Sequence, residues 1–170
     1  MNKARARLSS KVAYEIALHT VAAQQLWTGR RAAKGQTFIP GIVDFHHAVT
    51  ALEKAAGAEE RLSEIDVGIQ VARETLSEWR LQSDSFICGA LPANAVPATS
   101  THQPQRESLR FGDTRSRQLA MLIASFDEAC RAALEAANVA RDVDTPAAPA
   151  AQGEIRRYAK QLRQLLYLPR

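Results

Sequence analysis

The sequence predicts a mainly α protein, a helical N-terminal part joined to a short strand-helix-helix (ribbon-helix-helix-like) C-terminal part. Three observations carry that expectation. Apolar residues recur three and four apart over most of the 170 residues. Only 6% of residues are aromatic and alanine supplies much of the apolar count, so the core should be helix packed closely on helix. The stretch "ESLRFGDTRSRQLAMLIASFDEACRAALEAA" follows the most proline-rich segment and switches from a two-residue to a helical period. The length suits one domain or two very small ones.

Ser9 or Ser10 can cap a first helix, expected over roughly 10–33, with Val12, Ile16, Ala23, Leu26 and Trp27 at helical spacing. A second helix should begin near Pro40, bury Phe45, Val49, Leu52 and Ala56, and stop at Gly57. The third, about 58–82, has the cleanest pattern. Leu62, Ile65, Ile69, Ala72, Leu76 and Trp79 form a heptad-like seam, and the other faces carry acids. "GALPANAVPATSTHQPQ" then breaks the pattern and divides the chain into residues 1–88, a linker or long loop at 89–106, and residues 107–170.

In the last part, Leu109 and Phe111 alternate with Ser108, Arg110 and Gly112, a strand only a few residues long. Asp113 or Thr114 can cap the helix that follows, whose apolar face runs from Leu119 through Ile123, Phe126 and Cys130 to Ala137. A second breaker, "DVDTPAAPAAQ", precedes a last helix over roughly 153–167. There Ile155, Ala159, Leu162 and Leu166 are expected to be buried, and Arg156, Arg157, Lys160 and Arg163 lie mostly off that stripe.

Charge is segregated. The formal net charge is +4. Lys3, Arg5, Arg7 and Lys11 crowd an acid-free N-terminus, Glu154 is the lone acid among the cations of the last helix, and Glu59 to Asp84 is acidic. Basic ends around an acidic middle suit contact with a polyanion, because each neutralised phosphate releases counterions. There is no apolar run of about 18 residues to cross a membrane, and the protein reads as cytoplasmic. Catalytic signals are missing. The glycines form no phosphate loop, Cys88 and Cys130 have no metal-like spacing, and Asp127 and Glu128 are neighbours rather than a pair across a cleft. His46 and His47 point about 100° apart on a helix, which favours a structural or surface role over a metal site. His19 sits among apolar residues as a satisfied core or interface side chain. A non-enzyme without cofactor is expected.

A strand cannot stand alone, because its backbone donors and acceptors need partners. One reading of Ser108–Gly112 is therefore the ribbon-helix-helix plan, in which two subunits pair strands into a ribbon that enters the major groove of double-stranded DNA. Ser108 and Arg110 would then face base edges, while Arg115, Arg117, Arg156, Arg157 and Lys160, with Lys3, Arg5 and Arg7, would contact phosphates. The other reading makes "LRFG" an extended turn with Phe111 as a plug.

The segments "LHTVAAQQLWTGRRA", "IPGIVDFHHAV" and "RQLAMLIASFDEACRAALEAANVA" resemble the AcaB-like family of conjugative plasmids and integrating conjugative elements. The likeness rests on the Trp-Thr-Gly-Arg end of the early helix (Leu26 to Arg30), the Gly41-Ile42 turn and the apolar-to-Phe-Asp segment from Leu122 to Asp127. This chain departs from the pattern after the second helix, where "AAGAEERLSEID" stands in place of an Asp-rich segment. The resemblance implies a transcriptional regulator of transfer genes with a ribbon-helix-helix-like core and added terminal segments, and the leading expectation is a homodimeric, DNA-binding regulator encoded on a mobile element. The alternative is a helical interaction module or conjugation accessory protein whose Leu62–Trp79 seam binds a protein partner.

Overall fold

A computed structural model describes residues 13–31, 37–90, 104–141 and 147–169, with side chains described except at 13–14, 82–90, 109–110 and 136–150. The order is β1 (Ala13–Leu18), α1 (Val21–Thr28), α2 (Ile42–Leu52), α3 (Glu59–Ala90), β2 (Gln105–Arg110), α4 (Thr114–Arg141) and α5 (Ala147–Tyr167). The chain is mainly helical, with one two-stranded sheet among the described residues.

The expected helix at 10–33 is instead a strand and a short helix. Ile16 and Leu18 are buried while Glu15 and Ala17 are exposed, which is the two-residue period of a half-buried strand. A helical reading of the same residues is locally permissible. What decides against it is remote: β1 forms an antiparallel ladder with β2, pairing Ala13 with Arg110 through Leu18 with Gln105. The helix cap is Thr20, not Ser9 or Ser10. Its backbone is extended (φ −104°, ψ 144°), and its hydroxyl accepts from the Ala23 N–H.

The same ladder corrects the ribbon-helix-helix expectation. The C-terminal strand does exist, shifted to 105–110, but its partner is the N-terminal strand of the same chain. The need for a partner strand, which pointed to a second subunit, is met internally. Phe111 leaves the strand and is buried, edge-on to Trp27 (centroids 6.5 Å apart) and to the His46 ring (5.6 Å). The strand and the plug are thus consecutive, not alternatives.

Helix α4 is the centre of the molecule; α1, α2, α3, α5 and β1 all pack against it. Leu119, Ile123, Phe126 and Cys130 are completely buried, and Asp113 caps its first turn by accepting from the Ser116 N–H at 2.6 Å. From α3 come Ile65, Ile69, Ala72, Leu76 and Trp79, all buried in the same core, with Leu62 packed at its edge. The seam that the alternative reading gives to a protein partner is thus packed inside the chain, as in a helix bundle. Helix α5 adds Tyr158, Leu162, Leu165 and Leu166. Trp79 stacks on Tyr158 (6.2 Å), Phe126 lies 5.2 Å from Tyr158, and the Tyr158 hydroxyl donates to the Ala72 carbonyl. Residues from both sides of the proline-rich segment thus build one core. That segment lies outside the described residues for 91–103.

Helix α2 starts one residue after Gly41 and ends at Leu52, short of the expected Gly57, which leaves Ala56 exposed. Gly41 has no side chain to cap with, so Asp44 supplies the reciprocal bond, accepting from the Gly41 N–H at 2.9 Å. Glycine is required here by contact. A Cβ on Gly41 would lie 2.5 Å from the Trp27 carbonyl oxygen, and one on Gly29, which also has φ +65°, would lie 2.5 Å from the Gly41 nitrogen. The end of α1 and the start of α2 touch backbone to backbone.

Candidate nucleic-acid interface

Helix α5 presents two unlike faces. One is buried against α1, α3 and α4; the other carries its cations. At 100° per residue, Arg156, Lys160, Arg163 and Tyr167 fall at i, i+4, i+7 and i+11 on one stripe. Arg156 and Lys160 are exposed and have no carboxylate within ion-pair distance among the described residues. Arg163 is half-buried, and its Nε is buried without a hydrogen-bond partner. Arg157 points to the neighbouring face, where it pairs with Glu154 at 2.6 Å. Both groups of that pair are largely solvated, so it is worth at most about 1 kcal/mol and yields readily to a competing anion.

The stripe ends at a small hairpin. The Arg30 N–H donates to the Ile39 carbonyl at 2.7 Å, and the Ile39 N–H returns to Arg30 at 2.9 Å. The Tyr167 hydroxyl donates to the Phe38 carbonyl at 2.8 Å, which ties the end of α5 to this hairpin. Arg30 and Arg31 both reach solvent; the Arg30 guanidinium donates to the Thr37 carbonyl at 3.3 Å.

The β1–β2 ribbon has one buried and one solvent-facing side. Ser108 lies opposite Glu15, and Arg106 pairs loosely with that same Glu15 at 4.0 Å. The backbone of Arg110 pairs with Ala13, and its side chain lies outside the described residues, as do Lys3, Arg5 and Arg7.

Two of the expected phosphate contacts have structural duties. Arg115 makes two hydrogen bonds to Asp66, from Nε at 2.8 Å and Nη2 at 2.7 Å, and a third to Glu53 at 3.1 Å. Bonding to Asp66 first, and to Glu53 after it, raises its pKa further above an already high value. It clamps the first turn of α4 to α3 and to the end of α2. Arg117 turns back on its own helix, donating from Nε to the Asp113 carbonyl and from Nη2 to Thr114 Oγ1, both at 3.3 Å.

The polar residues that sequence reasoning undervalued are carboxylates of α4 and its cap. Asp127 is 1% exposed and accepts four hydrogen bonds: the His19 N–H (2.8 Å) and Nδ1 (3.0 Å) on one oxygen, and the Thr20 N–H and hydroxyl (both 2.7 Å) on the other. The ring contact requires the proton on His19 Nδ1. With both oxygens used, Asp127 is an anchor for the β1–α1 junction. Its sequence signal was an aspartate set beside Phe126 on the apolar face of α4. Asp113 does the same for α2, pairing with His46 Nδ1 at 2.5 Å while it caps its own helix. His46 thus has a structural partner. The Cys130 thiol is pushed well up by burial and by the nearby Asp127 charge, which removes it as a nucleophile near neutral pH. Among the described residues no group of three or more His, Cys, Asp and Glu could hold a metal ion, and no helix is long and apolar enough to cross a membrane.

Neither a curated protein nor a solved structure matches this chain. The comparison with family models is informative: the model for the transcriptional regulator AcaB matches residues 6–170, nearly the full length and both sides of the shared core. The chain belongs to the AcaB family of transcriptional regulators.

Proposed function

We propose that this regulator acts by binding double-stranded DNA, as a non-enzymatic, cytoplasmic protein of a conjugative or integrative mobile element. The observation that carries the DNA reading is the α5 stripe. Arg156 and Lys160 are exposed and uncommitted, while Arg115 and Arg157 are held by acids. A regular row of cations along one helix face suits a phosphate backbone, and its contribution to affinity is independent of sequence.

Sequence preference is assigned to the β1–β2 ribbon, through Ser108 and Arg106, which face solvent, and through Arg110. A two-stranded ribbon fits the major groove, where a guanidinium can bond two acceptors of guanine. Glu15 on the same face adds an acceptor suited to the cytosine amino group. A homodimer is not needed to complete this ribbon and forms no part of the mechanism. The mobile-element setting rests on the family resemblance alone.

The test is a fluorescence-anisotropy titration of the full chain against a random-sequence duplex at several salt concentrations. Binding that weakens steeply as salt rises is expected. An absence of binding at low salt would sink the reading.

A further inference from the structure

The Trp-Thr-Gly-Arg-Arg end of α1 is not accounted for by the α5 stripe or the ribbon. Its glycine has an architectural role, the backbone contact with Gly41. Of the two arginines that follow, Arg30 is bridged to Ile39 through its backbone and donates a long side-chain bond to the Thr37 carbonyl. Both reach solvent, and neither has a carboxylate partner among the described residues. Successive side chains of extended backbone point to opposite sides. Arg30 and Arg31 nevertheless both reach solvent, while Phe38 and Ile39 opposite them are half-buried. The Arg30–Ile39 bridge makes the hairpin two-stranded at that point.

Its position is fixed by α5. Arg156, Lys160, Arg163 and Tyr167 share one stripe, and Tyr167 is hydrogen-bonded to the hairpin at Phe38. A cationic row about 10 Å long, the seven residues from Arg156 to Arg163 at 1.5 Å each, is therefore followed one turn later by Tyr167, which touches a second cationic element. From this continuity we infer that the bridged segments at Arg30–Arg31 and Phe38–Ile39 are a second DNA-backbone contact, in which Arg30 and Arg31 bind phosphates and Tyr167 positions the two segments against α5. The inference rests on the DNA-binding reading and extends it to residues outside the ribbon and α5. The charge of the hairpin and its union with the α5 row favour a continuous polyanion over a compact anionic ligand.

The experiment compares the full-length wild type with Arg30→Ala/Arg31→Ala, Tyr167→Phe, the triple variant and Arg131→Ala on one random-sequence duplex. Arg131 is a control, already paired with Glu135 on α4. Circular dichroism verifies that each variant is folded. The arginine pair is expected to lose roughly tenfold or more in affinity, with a salt dependence shallower by about 0.9 for each phosphate no longer neutralised. Tyr167→Phe should weaken binding several-fold in the wild-type background and add nothing once the arginines are gone, because its effect passes through them. A wild type that binds alongside an arginine variant of unchanged affinity and salt slope would overturn the hairpin's role and leave the α5 reading intact. The hairpin's role also fails if Arg131→Ala weakens binding as much, or if Tyr167→Phe acts equally in both backgrounds. A wild type that fails to bind duplex overturns both readings.

Discussion

Asp127 illustrates how much of this fold hangs on single side chains. A buried carboxylate is costly to desolvate, and it is retained because four donors satisfy it. Replacement by alanine leaves the Thr20 and His19 N–H groups without an acceptor in a buried site. We expect Asp127→Ala to cost about 3–5 kcal/mol by chemical denaturation. A loss below about 1 kcal/mol would show that water or another acceptor takes over. Gly41 is a second such position. Gly41→Ala forces a Cβ against backbone atoms of α1 that cannot rotate away, so it should destabilise strongly. Gly57 (φ +77°) has open space around it, and Gly57→Ala should cost only the left-handed strain, about 1–2 kcal/mol. The ordering of the two variants is the checkable point.

Burial gives Tyr158 a testable pH signature. Desolvation raises its pKa above the usual value of 10.0, and Cys130 is raised in the same direction above 9.0. For groups whose folded pKa is raised, the stabilising contribution is complete below the unfolded pKa and is lost as pH climbs toward the folded one. Stability should therefore decline from about pH 9 upward. In Tyr158→Phe the alkaline decline should be smaller, although the variant is less stable at neutral pH for want of the bond to Ala72.

At the scale of elements, what was legible in the sequence depended on whether the deciding interaction was local. Helices α3 and α4 were readable because their apolar residues repeat for many turns and a helix makes its own hydrogen bonds. Capping by Asp113 was readable for the same reason. The segment at 13–18 was not. Its apolar positions fit both periods, and the choice was made by β2, about ninety residues away. The location of the cations on α5 was legible from the 3.6-residue repeat, whereas the commitment of Arg115 to Asp66 and Glu53 was not, because those partners come from other elements. The same logic assigns the α3 seam to the core. Ile69→Ala should lower stability by about 2–5 kcal/mol. Unchanged stability with a lost protein partner would restore the seam as a binding surface.

For the whole molecule, charge and topology point in one direction. The acids of α3 and the uncommitted cations of α5 lie on different helices that share a core, and the chain closes its only described sheet by joining its N-terminal strand to β2. On the proposed DNA-binding reading, sequence preference and phosphate binding are separable. Arg110→Ala should relax discrimination by about 1–3 kcal/mol, while Arg156→Ala should weaken all duplexes alike.

The most direct test of that account is the salt dependence of duplex binding by Arg156→Ala/Lys160→Ala beside the wild type. The account predicts steep salt dependence for the wild type and a slope shallower by roughly two for the variant, near 0.9 for each phosphate that the variant leaves unneutralised. Equal slopes and equal affinities in two folded proteins would contradict it, and the α5 stripe would then be an ordinary solvated face.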